Sequence, residues 1–219
     1  MAKIGIVLSG CGVFDGSEIH ESVITMLALD RAGVEIICMA PDIKQPQVID
    51  HISGTAAHED RNVLTESARI SRGKIRNIST VTAAEIDALV LPGGFGAAKN
   101  LCNFATMGAN CTVNPELSAL VTAMVAAAKP IGSICISPVI LAKVLGSQGK
   151  NPQLTIGNDA TTAAAINQMG ANHVECAVDA CVVDQKLKIV STPAYMLAGS
   201  ISEAAAGIEA AIAALLKLL

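Results

Sequence analysis

Short, unbroken aliphatic runs separated by helical patterns constrain this chain more than any other feature. The runs are Ile4 to Leu8, Val34 to Met39, Ala88 to Leu91, Ile131 to Cys135 and Leu154 to Ile156. A strand wetted on one face alternates apolar and polar residues, whereas a strand covered on both faces is apolar throughout. The runs therefore predict a mostly parallel sheet with helices on both faces, an α/β fold. Between the first two, Ile19, Val23, Met26 and Leu27 recur at helical spacing, with Ser17 placed to cap the start and Gly33 to take the left-handed position at the end. That makes a βαβ unit. Asn114 and Pro115 announce a second helix as cap and first residue, and Lys129-Pro130 requires it to stop. A closing helix carries Ile208, Ile212, Leu215, Leu216 and Leu219 on one stripe.

Two stretches depart from this alternation. Residues 41–80 are polar and mixed around His51, His58 and Glu59-Asp60-Arg61, and read as an insertion in one domain spanning 1–219. Cys181 to Val183 and Lys188 to Val190 flank Asp184-Gln185-Lys186, which predicts a hairpin or an antiparallel edge.

The core must be aliphatic, because 52% of the residues are hydrophobic yet the chain has no Trp and one Tyr. Charged residues are 16% of the chain, the net charge is -4 and no charge blocks occur, so neither nucleic acid nor an anionic membrane finds an electrostatic footprint. Lys, Glu or Pro interrupts every apolar stretch before it reaches membrane-spanning length. Leu8-Ser9-Gly10-Cys11 matches a lipoprotein cleavage pattern, but the apolar run before it is shorter than the roughly 7–15 residues a signal segment needs. The expected location is cytoplasmic. Seven cysteines without CxxC or Cys/His ligand spacing argue against a disulfide framework and a structural zinc, and no cofactor or metal is expected.

The chemistry concentrates at Ser133-Ile134-Cys135-Ile136-Ser137-Pro138, where a buried strand turns directly into a helix. Such an elbow needs small residues two positions either side of its apex and pushes the apex side chain out at the carboxyl edge of the sheet. Cys135 is therefore the candidate nucleophile, aided by the free N–H groups of the helix start. The other six cysteines lack that setting and read as small buried hydrophobes. Leu91-Pro92-Gly93-Gly94-Phe95-Gly96 offers a glycine-rich turn after the third strand, so the backbone N–H groups of Gly94 and Ile136 are the candidate oxyanion donors. The turn matches neither a Walker loop nor a dinucleotide fingerprint. Glu18 and Glu21 lie on neighbouring rows of the first helix, and spacing alone does not choose between them as the acid/base partner. His20 reads as structural or exposed, and Asp15 as a helix cap.

Asp15-Gly16-Ser17-Glu18-Ile19-His20-Glu21, Gly93-Gly94-Phe95-Gly96-Ala97-Ala98-Lys99-Asn100, the Cys135 elbow and Thr192-Pro193-Ala194-Tyr195-Met196 together resemble the ElbB-type isoprenoid-biosynthesis glyoxalases. That branch belongs to the PfpI and Parkinsonism-associated deglycase superfamily. The resemblance covers essentially the whole chain. It implies a class I glutamine amidotransferase-like domain with a flavodoxin-like three-layer sandwich, a homodimer, a reactive Cys at Cys135 and a partner Glu at Glu21. It also implies a glyoxalase that uses no cofactor, converting a small dicarbonyl, glyoxal, to glycolate, with deglycase activity through the same nucleophile. Ile136 stands where protease-like members carry His, and the His-x-Glu pair of true glutamine amidotransferases is missing, so peptidase and amidase readings weaken. A redox-responsive regulatory protein using the same Cys remains the alternative, and a weak amidase the second.

Overall fold

The computed structural model describes residues 1–219. Its main sheet has seven strands. β1 (Lys3–Val7), β2 (Glu35–Ala40) and β3 (Arg76–Asn77) form one half; β4 (Ala88–Leu91) and β5 (Ile131–Ile134) continue it on the other side of β1. β6 (Gln153–Leu154) and β7 (Asn172–His173) pair with each other in a separate two-stranded sheet, and β8 (Val182–Asp184) and β9 (Ile189–Thr192) close the main one. The order is β3-β2-β1-β4-β5-β9-β8, parallel throughout except for the β8–β9 pair.

Eight α-helices accompany the strands: α1 (Ile19–Arg31), α2 (Val63–Ile70), α3 (Phe95–Lys99), α4 (Phe104–Met107), α5 (Pro115–Ala126), α6 (Pro138–Gly146), α7 (Ala160–Gln168) and α8 (Ile201–Leu216). Successive strand residues point to opposite faces, and the core divides accordingly. Val7, Leu89, Leu91, Ile131 and Ile189 pack with α5, α6 and Ile166 of α7. Ile4, Ile6, Val90, Ile134 and Val190 pack with Leu29 of α1 and with Ile208, Ile212 and Leu215 of α8. Each such fully buried aliphatic side chain contributes about 1.5–3 kcal/mol relative to exposure. The result is a three-layer, flavodoxin-like α/β sandwich. No helix is long and apolar enough to cross a membrane.

Several local expectations change. Leu154–Ile156, expected as a strand of the parallel sheet, contributes only Leu154 to β6, and its place beside β5 is taken by β9. The hairpin expected around residue 185 forms, but its second strand is an internal parallel strand as well as a hairpin arm. Residues 41–80 divide: the first part is a looped excursion, whereas α2 and β3 rejoin the βαβ alternation, β3 pairing in parallel with β2. Glu18, not Ser17, caps α1, its Oε2 accepting the Glu21 N–H at 2.7 Å. Ser17 Oγ instead accepts the Ser9 N–H at 2.8 Å. Asp15 caps no helix; buried, it accepts the Ile49 N–H at 2.7 Å and so anchors the excursion.

The chain leaves β1 toward β2 and β3, then returns to place β4 on the opposite side of β1. At such a reversal the loops after neighbouring strands separate and open a crevice at their carboxyl ends. The loops after β1, β4, β5 and β9 meet there.

Candidate active site

Strand β5 ends at Ile134, and Cys135 turns the chain into α6 with φ of 62°. A left-handed conformation is unfavourable for a side-chain-bearing residue and persists only where its surroundings fix it. Here the Cys135 N–H donates to the Thr192 carbonyl at 2.9 Å, tying the apex to β9. The flanking serines pin it from beneath. Ser137 Oγ accepts the Ile134 N–H at 2.9 Å and donates to the Leu91 carbonyl at 2.7 Å, and Ser133 Oγ lies 2.9 Å from it. The two serines thus supply hydroxyls to the turn as well as small volume.

Glu21 reaches the same point from α1. Its side chain is fully buried and hydrogen-bonded to the Cys135 thiol. Oε2 accepts the Gly93 N–H at 2.9 Å and Oε1 the Tyr195 N–H at 3.2 Å. Burial first, and then the Glu18 charge, push Glu21 up to about 8, against the pull of these donors. The Cys135 thiol is likewise held well above its usual range, by burial and by the adjacent Glu21 carboxylate, while the N–H groups of Gly94 and Ile136 act in the opposite direction. Each group is a like charge to the other when ionised, so near neutrality the pair carries at most one negative charge.

The glycines of the turn after β4 are required by this crowding. A Cβ on Gly93 would lie 2.4 Å from Cys135 Cβ and 2.6 Å from Glu21 Oε2. Gly94 has φ of 93°, and a Cβ there would lie 2.3 Å from the Glu18 nitrogen. Only a bare backbone lets the β4 turn pass between the elbow and α1.

Cys135, 7% exposed, opens onto a cavity of about 520 Å³ whose walls include Val13, Phe95, Phe104 and Met196. Its charged wall residues are Glu18 and Asp159, and no Lys or Arg lines it. Asp159 is also the cap of α7, accepting the Thr162 N–H at 2.7 Å. No three His, Cys, Asp or Glu side chains converge as a metal-ligand set.

The four residues singled out from sequence, Cys135, Glu21, Gly94 and Ile136, are thus brought together. His20 is exposed, as expected, but its Nδ1 lies 2.8 Å from the Tyr195 hydroxyl, and Tyr195 lines the cavity. His51 hydrogen-bonds in the excursion, and His173 Nε2 accepts the Ile156 N–H at 3.3 Å. Sequence reasoning missed Tyr195, which contributes a backbone N–H to Glu21 and a ring to the wall. Spacing alone left Glu18 and Glu21 as equals and only the resemblance pointed to Glu21; in the structure Glu18 caps the helix and Glu21 faces the sulfur.

A human protein named glutamine amidotransferase-like class 1 domain-containing protein 3, mitochondrial, is 45% identical over 99% of this chain and 83% of its own length. A rat protein named ES1 protein homolog, mitochondrial, is 44% identical over 99% of this chain and 84% of its own. The cytoplasmic location expected from sequence is overturned by these relatives, whose names place them in the mitochondrion, as does that of a zebrafish ES1 protein at 33% identity. The expectation rested on the absence of a membrane span or leader pattern, which does not determine a compartment. The crystal structure of an isoprenoid biosynthesis protein with an amidotransferase-like domain, from Ehrlichia chaffeensis, is similar with a TM-score of 0.92 and 39% identity, covering 99% of this chain and 100% of that one. Residues 11–198 match the DJ-1/PfpI family, so this chain, a class I glutamine amidotransferase-like domain, belongs to the DJ-1/PfpI family.

Proposed function

We propose that the protein is a glyoxalase that converts glyoxal to glycolate without a cofactor, through a covalent adduct on Cys135. The observation that carries this reading is the buried carboxyl of Glu21 hydrogen-bonded to the Cys135 thiol and poised to exchange a proton near pH 8. General acid/base catalysis is most effective when the group titrates near the working pH.

Cys135 Sγ adds to one aldehyde carbon while the thiol proton passes by way of Glu21 to the carbonyl oxygen, giving a hemithioacetal. The N–H groups of Gly94 and Ile136, already facing the sulfur, sit where they can stabilise the developing oxyanion. Glu21 then removes the proton from the former aldehyde carbon to give an enediol, and returns a proton to the neighbouring carbon. The product of that transfer is a thioester of glycolic acid. Water cleaves it, releasing glycolate and restoring the thiol. Early glycated amines meet the same nucleophile, which supports deglycase activity as a second use of the site.

Steady-state glycolate production from glyoxal tests the reading. Turnover is expected in the wild type and at background in Cys135→Ala; equal turnover in the two would remove Cys135 from the reaction.

One observation also favours a redox role for the site. At neutral pH a protonated Glu21 can donate a hydrogen bond to a sulfinate on Cys135, which would stabilise that oxidised form. Selective oxidation of Cys135 by mild peroxide, in a protein with no glyoxal turnover, would select this reading over the first.

The working form is a homodimer in this reading. Ile19, Val23 and Leu27 stand four residues apart on α1 and are 42%, 47% and 42% exposed, an apolar stripe suited to a second copy of the chain. Light scattering after chromatography is expected to give twice the chain mass for the wild type and a shift to monomer for Val23→Glu.

A further inference from the structure

Outside the Cys135 site, Cys102, Cys111 and Met169 form a buried sulfur cluster beside the loop that carries Phe104 and Ala105. Cys102 follows α3 and Cys111 precedes α5; between them run α4 and a 3-10 turn, Gly108–Asn110. A minimal antiparallel ladder joins the two ends of this loop. Cys102 bridges Val113, the Asn103 N–H donates to the Thr112 carbonyl at 3.2 Å, and the Thr112 N–H donates to Asn103 Oδ1 at 2.6 Å. Residues two apart on a strand share a face, so Cys111 is the diagonal neighbour of Cys102. The two thiols adjoin across this ladder and each is the first influence on the other's proton, with Cys111 Sγ 3.9 Å from Met169 Sδ and Cys102 Sγ 3.2 Å from the Ala97 carbonyl oxygen.

The surroundings suit an attacking thiolate at Cys111. The neighbouring Cys102 thiol draws the Cys111 thiol down to about 7 against burial, and the Lys143 ammonium, whose Nζ donates to the Ala109 carbonyl at 3.1 Å, acts in the same direction. Cys111 lies one residue from solvent, between exposed Asn110 and Thr112. Neither cysteine takes part in the chemistry assigned to Cys135.

We propose that Cys102 and Cys111 form a redox-active dithiol that hydrogen peroxide converts to a disulfide, tying together the ends of the loop that supplies Phe104 and Ala105 to the Cys135 cavity. The Cys111 thiolate attacks a peroxide oxygen and the O–O bond breaks, leaving a sulfenic acid and a hydroxide that takes up a proton to become water. Cys102 sulfur then attacks the sulfenic sulfur. The S–O bond breaks, and a second water leaves with the Cys102 proton. Two thiols lose two electrons in all, and one peroxide takes them. Oxidation fixes both ends of α4, so the state of the pair sets the freedom of that part of the cavity wall.

Peptide mapping of folded protein tests this. Trypsin does not cut before proline, so residues 100–143 stay in one peptide through Lys129-Pro130, carrying Cys102, Cys111 and Cys135. In Cys135→Ala protein treated with equimolar peroxide and then alkylated, the peptide is expected unalkylated and two hydrogens lighter than the dithiol. Dithiothreitol restores both thiols, and Cys102→Ser abolishes the lighter form. Wild-type protein is expected to give the same internal link with Cys135 alone alkylated, so the result does not hinge on how any variant folds. Recovery of Cys102 and Cys111 both alkylated, a sulfinate on Cys111, or a link to any other cysteine would overturn the proposal.

Discussion

Cys135 and Cys111 are both buried thiols, 7% and 1% exposed, yet their surroundings move their protons in opposite directions. Burial raises both. At Cys135 a carboxylate adds to that rise, whereas at Cys111 a neighbouring thiol and an ammonium more than offset it. The backbones differ in the same sense. Cys135 sits at a positive φ with glycine backbone packed against it, while Cys111 lies in a short loop whose Gly108 has open space around it. A fixed thiol that shares its proton with an acid suits a reaction needing one geometry and a proton shuttle. A low-lying thiol in an adjustable loop suits a change of bonding partner.

The largest break in this comparison is Glu21→Gln. It keeps the volume and removes the acid, so glyoxal turnover should fall about 10²–10⁴-fold. Cys111→Ser should leave turnover unchanged. In the wild type, alkylation of Cys135 by iodoacetamide should accelerate as pH rises through about 8, where the pair loses its first proton, and the variant should lack that inflection. Stability follows from the same displacement. Because folding raises Glu21 from its ordinary 4.5 to about 8, the folded protein holds this proton more tightly than the unfolded chain does. The contribution is full below pH 4.5, declines as pH rises, and is gone above about 8. Thermal midpoints of wild type minus Glu21→Gln, measured across that window, should show the decline; a flat difference would place the proton elsewhere.

Glycine replacements sharpen the contrast in rigidity. Alanine at Gly93 collides with Cys135 and Glu21; alanine at Gly108 meets nothing within 4 Å but must adopt φ of 53° with ψ of -137°. Each should cost about 1–3 kcal/mol, one by overpacking and the other by backbone strain. Only Gly93→Ala should slow Cys135 alkylation. Equal alkylation rates in the two variants would mean that the elbow yields as readily as the loop.

What could be read from sequence tracks how local each feature is. The elbow was legible because strand, Cys, small flanks and Pro138 are contiguous, and the turn after β4 because its glycines admit no side chain. Glu18 and Glu21 were not separable by spacing, since both lie in the first turn and only the direction of α1 aims one at the sulfur. Leu154–Ile156 is as buried as a sheet strand, so burial pattern could not show that its partner is the two-residue β7. Tyr195 left no signal because what it gives Glu21 is a backbone N–H. The Cys102–Cys111 contact arises from pairing across a loop, and nothing in either residue's immediate neighbours announces it.

The smallest effect, and the most specific, belongs to Glu18→Gln. Glu18 holds the first turn of α1 through Oε2, and its charge is the second cause, after burial, of the rise in Glu21. Glutamine retains an acceptor for the Glu21 N–H but loses the charge and its favourable interaction with the helix start, about 0.3–1 kcal/mol. The cap and the fold should therefore survive. With the neighbouring negative charge gone, ionised Glu21 is less disfavoured, and the inflection in Cys135 alkylation should move to lower pH while alkylation of Cys111 keeps its own profile. An unmoved inflection would show that burial alone raises Glu21. The first helix would then contribute one carboxylate to the chemistry and one to its own capping, with no electrical link between them.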